Sequence, residues 1–470
     1  MLLLLVVSEE LTQHRLVPKE IVRKVLHMMI GFEFLVLYHF FGASWQIVVI
    51  PATFVVFNTL LFRFKWFETM DRGKGEHAGV IYYAVSITAL SIVTACLPQF
   101  LYPFGVGVFC LSFGDCAAAL MGRYLRPRIR IMGDKTLWGM VGDFVFSFAA
   151  QLLLAWILRF SIDWGAVAAI SAVACLCEVS IGKGLDNIAV PVWCSLFAYG
   201  FYFQPHILPL FALVFAGYLL FAVTYSAKAF TLPAAILAGL MLIAVGDLGG
   251  WGAFTVILSS YAAVFVIDKI CGVINTKRTG ERRFHRARSV AQIWQNGLPA
   301  FACLVLFYFL PYPAFILGFG VAVGESMVDS IASAVGALST KPPVDIISHR
   351  KVYPTKSGGI TLLGTLGGCI ASFLVPLIVG AFGGYDWMLI LVFVWQIGGM
   401  LLDSVLGSLI QVRYRCAVCM EIVDSPIHCG RPGERIGGIS WMTNGNVNLL
   451  TNSITTASLV GLLLAIALIN

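Results

Sequence analysis

Uncharged apolar runs return along the whole of this 470-residue chain, and they restrict its fold more than any other feature. Stretches near 44–62, 79–97, 99–121, 138–160, 207–226, 251–271, 359–382, 386–410 and 453–469 are at or close to the length a helix needs to cross a hydrocarbon core about 30 Å thick. Hydrocarbon offers no partner to an open N–H or C=O, so such runs must close their backbone hydrogen bonds internally, as helices. Composition agrees: 59% of residues are hydrophobic and 12% charged, with a mean hydropathy of +0.89. With shorter runs included, roughly twelve to fifteen spans are expected. The chain therefore reads as an all-α, polytopic membrane bundle rather than a string of soluble domains. Met1–Val7 is apolar but lacks a basic leader and meets Ser8-Glu9-Glu10 at once, too short for a signal peptide. Insertion is expected from the spans themselves.

The formal net charge of +7 is clustered, at 63–74, at Arg123, Arg126, Arg128, Arg130 and Lys135, and at 277–288, 341–356 and 413–435. Basic short loops favour the cytoplasmic side, which places these loops where nucleotides are. At 277–288 two uses stand level, phosphate binding and setting topology against anionic lipid. No nucleic-acid partner is expected. Most of the twelve Cys lie within apolar runs and behave as small hydrophobes. Cys416-x-x-Cys419 with His428-Cys429 is the exception, and suits either a zinc knuckle or a set of reduced structural thiols.

One polar pattern occurs twice. Gly114-Asp115-x-x-Ala118-x-x-x-Gly122 precedes a basic loop and Lys135-Thr136-x-x-Gly139; Asp329-Ser330-x-Ala332-x-x-x-Gly336 precedes another and Lys356-x-x-x-x-Thr361-x-x-Gly364. This reads as two tandem related halves joined near 226–250, where Gly246-Asp247-Leu248-Gly249-Gly250 would make a turn. Asp115 stands in an apolar helix, where a carboxylate is costly and needs a partner, a cation or a cavity. A magnesium ligand or a phosphate-proximal base is expected there. Arg123, Arg130 and Lys135 can pair with phosphate oxygens. Thr136 and Gly139 open a helix whose N–H groups can face an anion. Asp186 and Asn187 could hold a metal or a ribose, or simply make a turn.

In the second half, Glu325 and Asp329 are four apart and share one helix face, a spacing that suits magnesium, with Asp403 as a further carboxylate. Lys356 with Ser357, Gly358, Gly359 and Thr361 forms a candidate anion nest. Lys277, Arg278 and Arg350 supply positive charge. Asn446 and Asn448 could meet a headgroup or cap a helix start.

The first set, with Arg23-Lys24-x-x-His27, Glu178 and Leu185-Asp186-Asn187 before Pro191, resembles the polyprenol kinase family, which includes dolichol, phytol and farnesol kinases. The resemblance covers roughly 15–225. It implies transfer of phosphate from CTP or another nucleoside triphosphate to an isoprenoid alcohol. The second set, with Lys277–Arg283, Gln292 to Gly297, Asp403-Ser404 and Asn446-x-Asn448-Leu449-Leu450, is similar to the membrane family that includes phytyl-phosphate kinase, over about 235–470. It implies phosphorylation of a prenyl monophosphate to the diphosphate. Residues 1–235 and 236–470 are the expected domains, a bifunctional magnesium-dependent kinase in a lipid setting the expected function. A cytidylyltransferase acting on a lipid phosphate would need a similar site, and internal repeats also occur in transporters of anionic lipids.

Overall fold

A computed structural model describes residues 19–64, 79–132, 135–180, 184–279, 287–352, 357–383, 387–420, 422–424 and 426–469. The apolar runs are helices. Among the described residues nine helical stretches are long and apolar enough to span a membrane, and four shorter apolar ones accompany them, Gly31–Phe41, Trp45–Leu60, Ile81–Cys96 and Trp164–Ser180. Large side chains such as Trp156, Phe309, Leu362 and Ile370 are left exposed on them, as surfaces that meet lipid require. The chain divides into two compact units, Met1–Lys228 and Ala229–Asn470.

In the first unit the helices are α1 (Lys19–Phe41), α2 (Val49–Phe64), α3 (Gly79–Cys96), α4 (Leu101–Phe109), α5 (Asp115–Tyr124), α6 (Leu137–Leu158), α7 (Trp164–Ser180), α8 (Asp186–Phe203) and α9 (Leu208–Ser226). Phe34, Phe104, Phe109, Leu111, Leu154 and Ile170 fill its core. A π-helical turn, Cys110–Gly114, joins α4 to α5 and ends immediately before Asp115. Such turns add a residue to the helical repeat and re-aim the side chains beyond it, and they concentrate at functional sites. A short hairpin, β1 (Arg130–Met132) with β2 (Lys135–Thr136), carries the basic loop back to α6.

The second unit is built round α12 (Pro313–Gly336), which packs against α10 (Leu232–Thr279), α11 (Val290–Phe309), α13 (Leu362–Ala371), α14 (Leu374–Gly383), α15 (Met388–Leu409) and α16 (Asn444–Ile469). Leu317, Phe319, Val321 and Val328 of α12 are fully buried. A capping box of Ser289 and Gln292 starts α11. Within the expected turn at 246–250 the chain does break, but only at Gly250, at φ 67° and ψ −170°, where two helical stretches meet across a kink; residues 246–249 remain helical. Only glycine enters that region without strain. Two strands, β3 (Val344–Asp345) and β4 (Gly359–Ile360), pair ahead of α13. Between α15 and α16 lies a polar insert of short strands: β5 (Arg413–Arg415), β6 (Ile422–Val423), β7 (Ile427–His428), β8 (Arg431–Pro432) and β9 (Glu434–Gly437), paired as β6-β5-β9 and β7-β8.

Candidate active site

Each unit holds a polar cavity at the end of its central helix. In the first, α5 and α6 approach so closely that only glycine fits between them. A Cβ on Gly139 would stand 2.9 Å from the Ala118 carbonyl oxygen, and one on Gly122 would stand 2.8 Å from Thr136 Oγ1. Thr136 caps α6, its hydroxyl accepting from the Gly139 N–H at 3.2 Å. This contact sets the Lys135-Thr136 segment beside Asp115. Lys24 of α1 donates to Asp115 Oδ2 at 2.5 Å and to its carbonyl oxygen at 3.3 Å. Lys135 pairs with Glu178 of α7 and reaches Asp186, at the start of α8, at 3.4 Å. Burial disfavours the Lys135 ammonium, but the carboxylates of Glu178 and then Asp186 outweigh it and hold the pKa above the usual lysine range.

These side chains line a cavity of about 710 Å³, to which Arg123, Arg126, Arg128, Gly139 and Asn187 also contribute. Asp143 of α6 stands behind it against Gly114, accepting from Ser147 at 3.2 Å. Three carboxyl groups, of Asp115, Glu178 and Asp186, thus meet the ammonium groups of Lys24 and Lys135, with the Asp143 carboxyl behind them. Among the described residues, Asp143 Oδ2 and Glu178 Oε2 are buried with no hydrogen-bond partner. Surplus hard oxygen donors of this kind fit a divalent cation such as magnesium. Arg130 does not join them; it is exposed in β1, away from the cavity wall. Lys24 and Glu178 belong to the motifs behind the family resemblance but receive no role from sequence, and no motif marks Asp143. Asp143, an ionisable residue within an apolar run, carried the same signal as Asp115.

The second cavity, about 740 Å³, is walled by Arg278, Asp329, Ser357, Gly358, Gly359, Thr361, Asp403, Ser404 and Asn444, among others. The close approach of the first unit is repeated here. A Cβ on Gly364 would stand 2.7 Å from the Ala332 carbonyl oxygen, one on Gly336 3.0 Å from Thr361 Oγ1. Thr361 caps α13 by accepting from Gly364 N at 3.1 Å. Ala118, Gly122, Thr136 and Gly139 therefore have geometric counterparts in Ala332, Gly336, Thr361 and Gly364. Asp403 accepts from Thr451 at 3.4 Å. Among the described residues, none of Glu325, Asp329 and Asp403 forms an ion pair with a lysine or arginine. Asp329 and Asp403, which share the cavity wall, are carboxyl groups whose donors fit a cation.

Several expected contributors lie elsewhere. Glu325 is buried one turn from Asp329, against Gly399 and Thr455, and is not on the cavity wall. Asn452, Gln396 and Thr451, which no motif marks, surround this part of the helix packing; Asn452 donates to the Ala322 carbonyl oxygen at 2.8 Å and to Ser326 at 2.9 Å. The Ser357 N–H and hydroxyl donate to Asp424 at 2.8 and 2.5 Å, so the expected nest is already engaged by a carboxylate at this residue. Arg278 donates to the Leu338 carbonyl oxygen at 2.6 Å, near the end of α12. Lys277 and Arg350 are off the wall. Asn446 accepts from Gln295 at 2.9 Å and donates to the Trp441 carbonyl oxygen at 2.6 Å, which commits it to the start of α16; Asn448 likewise does not line the cavity. Lys356 lies outside the described residues, as does the His428 side chain. The sulfurs of Cys416, Cys419 and Cys429 lie within 4.8 Å of one another.

Fold and cavities define an all-α polytopic membrane protein with polar sites set into its helices. The chain belongs to the family described as integral membrane protein DUF92, whose profile matches residues 215–456. A phytol kinase of Synechocystis sp. is 27% identical over 199 residues, which cover 41% of this chain and 84% of that protein. An uncharacterized membrane protein of Methanocaldococcus jannaschii is 26% identical over 160 residues, 34% of this chain and 65% of that protein. No solved structure matches.

Proposed function

We propose that the protein is a membrane isoprenoid kinase that acts in two steps. The first unit phosphorylates an isoprenoid alcohol of the phytol or geranylgeraniol type, and the second phosphorylates the resulting prenyl monophosphate. The nucleoside triphosphate, CTP by preference, and magnesium serve both. The observation that carries this reading is the first cavity, where acids, lysines and arginines converge within an otherwise apolar bundle. The likeness to a phytol kinase supports it.

An apolar groove of about 410 Å³ between α1, α2, α3 and α4 offers a seat for the isoprenoid chain, lined by Met29, Phe32, Phe54, Ile87, Phe104 and Val108 among others. Met29 follows Lys24 on α1 by about 7 Å of helical rise, and Val108 precedes Asp115 by about 10 Å. Polar head and apolar tail would thus be held along the same helices. The alcohol oxygen would attack the terminal phosphorus, the bond to the nucleoside diphosphate would break, and the alcohol proton would pass to a cavity carboxylate. Arg123, Arg126 and Arg128 would offset phosphate charge, and Lys135 would be oriented by Glu178 and Asp186. Magnesium, held by carboxylates of the Asp115 cluster and by Asp329 and Asp403, would neutralise phosphate charge. Catalysis would rest on positioning and electrostatics.

The test is turnover by the detergent-purified full-length protein given phytol or geranylgeraniol, magnesium and each nucleoside triphosphate in turn, with lipid products resolved by mass. Diphosphate from wild type and accumulated monophosphate from Asp329→Asn are expected. A nucleotidyl lipid with released pyrophosphate would identify a cytidylyltransferase. No turnover by folded protein would remove the kinase and leave transport of anionic lipids.

A further inference from the structure

The polar insert between α15 and α16 has strands of two to four residues, and little apolar packing of its own: from Arg413 to Gly437, Cys416 and Val423 are the buried members among the described residues. A segment this small is rarely held by a core alone and needs a staple. Three of its side chains supply the donors for one. Cys416, Cys419 and Cys429 bring their sulfurs within 4.8 Å of one another although the last is ten residues beyond the second. The backbone bends tightly beside them: Met420 stands at φ 61°, Cys429 at φ 51° and Gly430 at φ 73°. The Val418 N–H donates to Cys416 Sγ at 3.3 Å, which fixes the position of that sulfur within the turn.

We propose that Cys416, Cys419 and Cys429 bind a structural zinc ion that holds this insert against the second cavity. Sulfur donors select soft and borderline cations over magnesium, and three thiolates with a fourth ligand complete a tetrahedral zinc centre. A disulfide would use only two of the three sulfurs. The other cysteines stand in helices, apart from this cluster.

The consequence reaches the cavity through one carboxylate. Asp424 follows β6, which pairs with β5, the strand that ends beside Cys416. It accepts from both the N–H and the hydroxyl of Ser357, and Gln411 donates to the same hydroxyl at 2.7 Å. Ser357, Gly358 and Gly359 form part of the cavity wall. Zinc would therefore fix the insert, and the insert would fix this turn. The inference does not need the kinase reading, since its test reads metal content and local protection.

The full-length protein is purified in detergent without chelator, equilibrated with zinc salt, washed, and analysed by elemental mass spectrometry. A single zinc per chain is expected. Cys416→Ser and Cys429→Ser should each lose it by about tenfold or more, since even supporting residues around a metal are worth that much, whereas Cys369→Ser should keep it. If the serine variants do not fold, wild type still decides: cobalt exchanged for zinc should show sulfur-to-cobalt charge-transfer absorption. Removing the metal should also speed amide exchange in 413–437 and in 357–361 together. Wild type holding no zinc, zinc retained by the cysteine variants, another metal in its place, or a Cys419–Cys429 disulfide in protein kept reduced would each overturn the proposal.

Discussion

Lys135 shows how little a single charge says without its neighbours. It stands between Glu178 and Asp186, and these carboxylates hold its pKa above the usual lysine range. A raised lysine pKa stabilises the folded state fully below the unfolded value of about 10.4, and that contribution is lost as pH rises through the folded value. The Lys135 contribution to thermal stability should therefore be flat from neutral pH to about 10 and fall only beyond it. Melting curves of wild type and Lys135→Met across that range measure it; a difference that fades between pH 7 and about 9 would contradict the assignment. For the proposed chemistry, Lys135→Ala should lower kcat/KM for the alcohol by about 10²–10³-fold, as loss of one transition-state partner does. Gly364→Ala sets a methyl group 2.7 Å from the Ala332 carbonyl oxygen and should cost about 1–3 kcal/mol. Gly272→Ala, with open space around its Cβ position, should not destabilise; thermal unfolding in detergent compares the two.

The helices that carry the cavities begin where hydroxyl caps place them. Thr136 and Thr361 each accept from the glycine three residues on, and each touches the glycine of the facing helix. Thr136→Ala and Thr361→Ala should therefore cost about 1 kcal/mol of stability each as lost caps. Serine in either place should restore most of it, since its hydroxyl can accept the same bond, and the melting temperatures of the alanine and serine variants test this pairing. The π-helical turn before Asp115 has no comparable sequence mark. It arises inside a run of uniformly apolar residues, where periodicity cannot tell one extra residue from none. The break at Gly250 illustrates the reverse: a glycine cluster marks where the chain can change direction, but not which glycine does so.

Two units with two cavities make the proposed steps separable. Asp115→Asn should block phosphorylation of the added alcohol while leaving conversion of added prenyl monophosphate within about twofold of wild type, as sites with no shared partners act independently. Asp329→Asn should show the opposite pattern, and product masses from the two substrates read both. The membrane character and the helices were determined by the sequence alone, because the cost of exposed backbone in hydrocarbon leaves no other arrangement for such runs. The placement of Asp115 and Lys135 round one cavity was also legible, since ionisable groups flanking small residues stand out against an apolar background, whereas Asp186 and Asn187 could equally have made a turn. What only the tertiary structure decided is how those groups are paired. Lys24 meeting Asp115, Glu178 meeting Lys135, Asp424 holding Ser357, Glu325 set behind its cavity while Asp329 faces it, and Arg130, Arg350 and Asn446 set away from the cavity walls all depend on helix rotation and close approach. Those are set by the summed packing of many apolar side chains, which no local motif encodes.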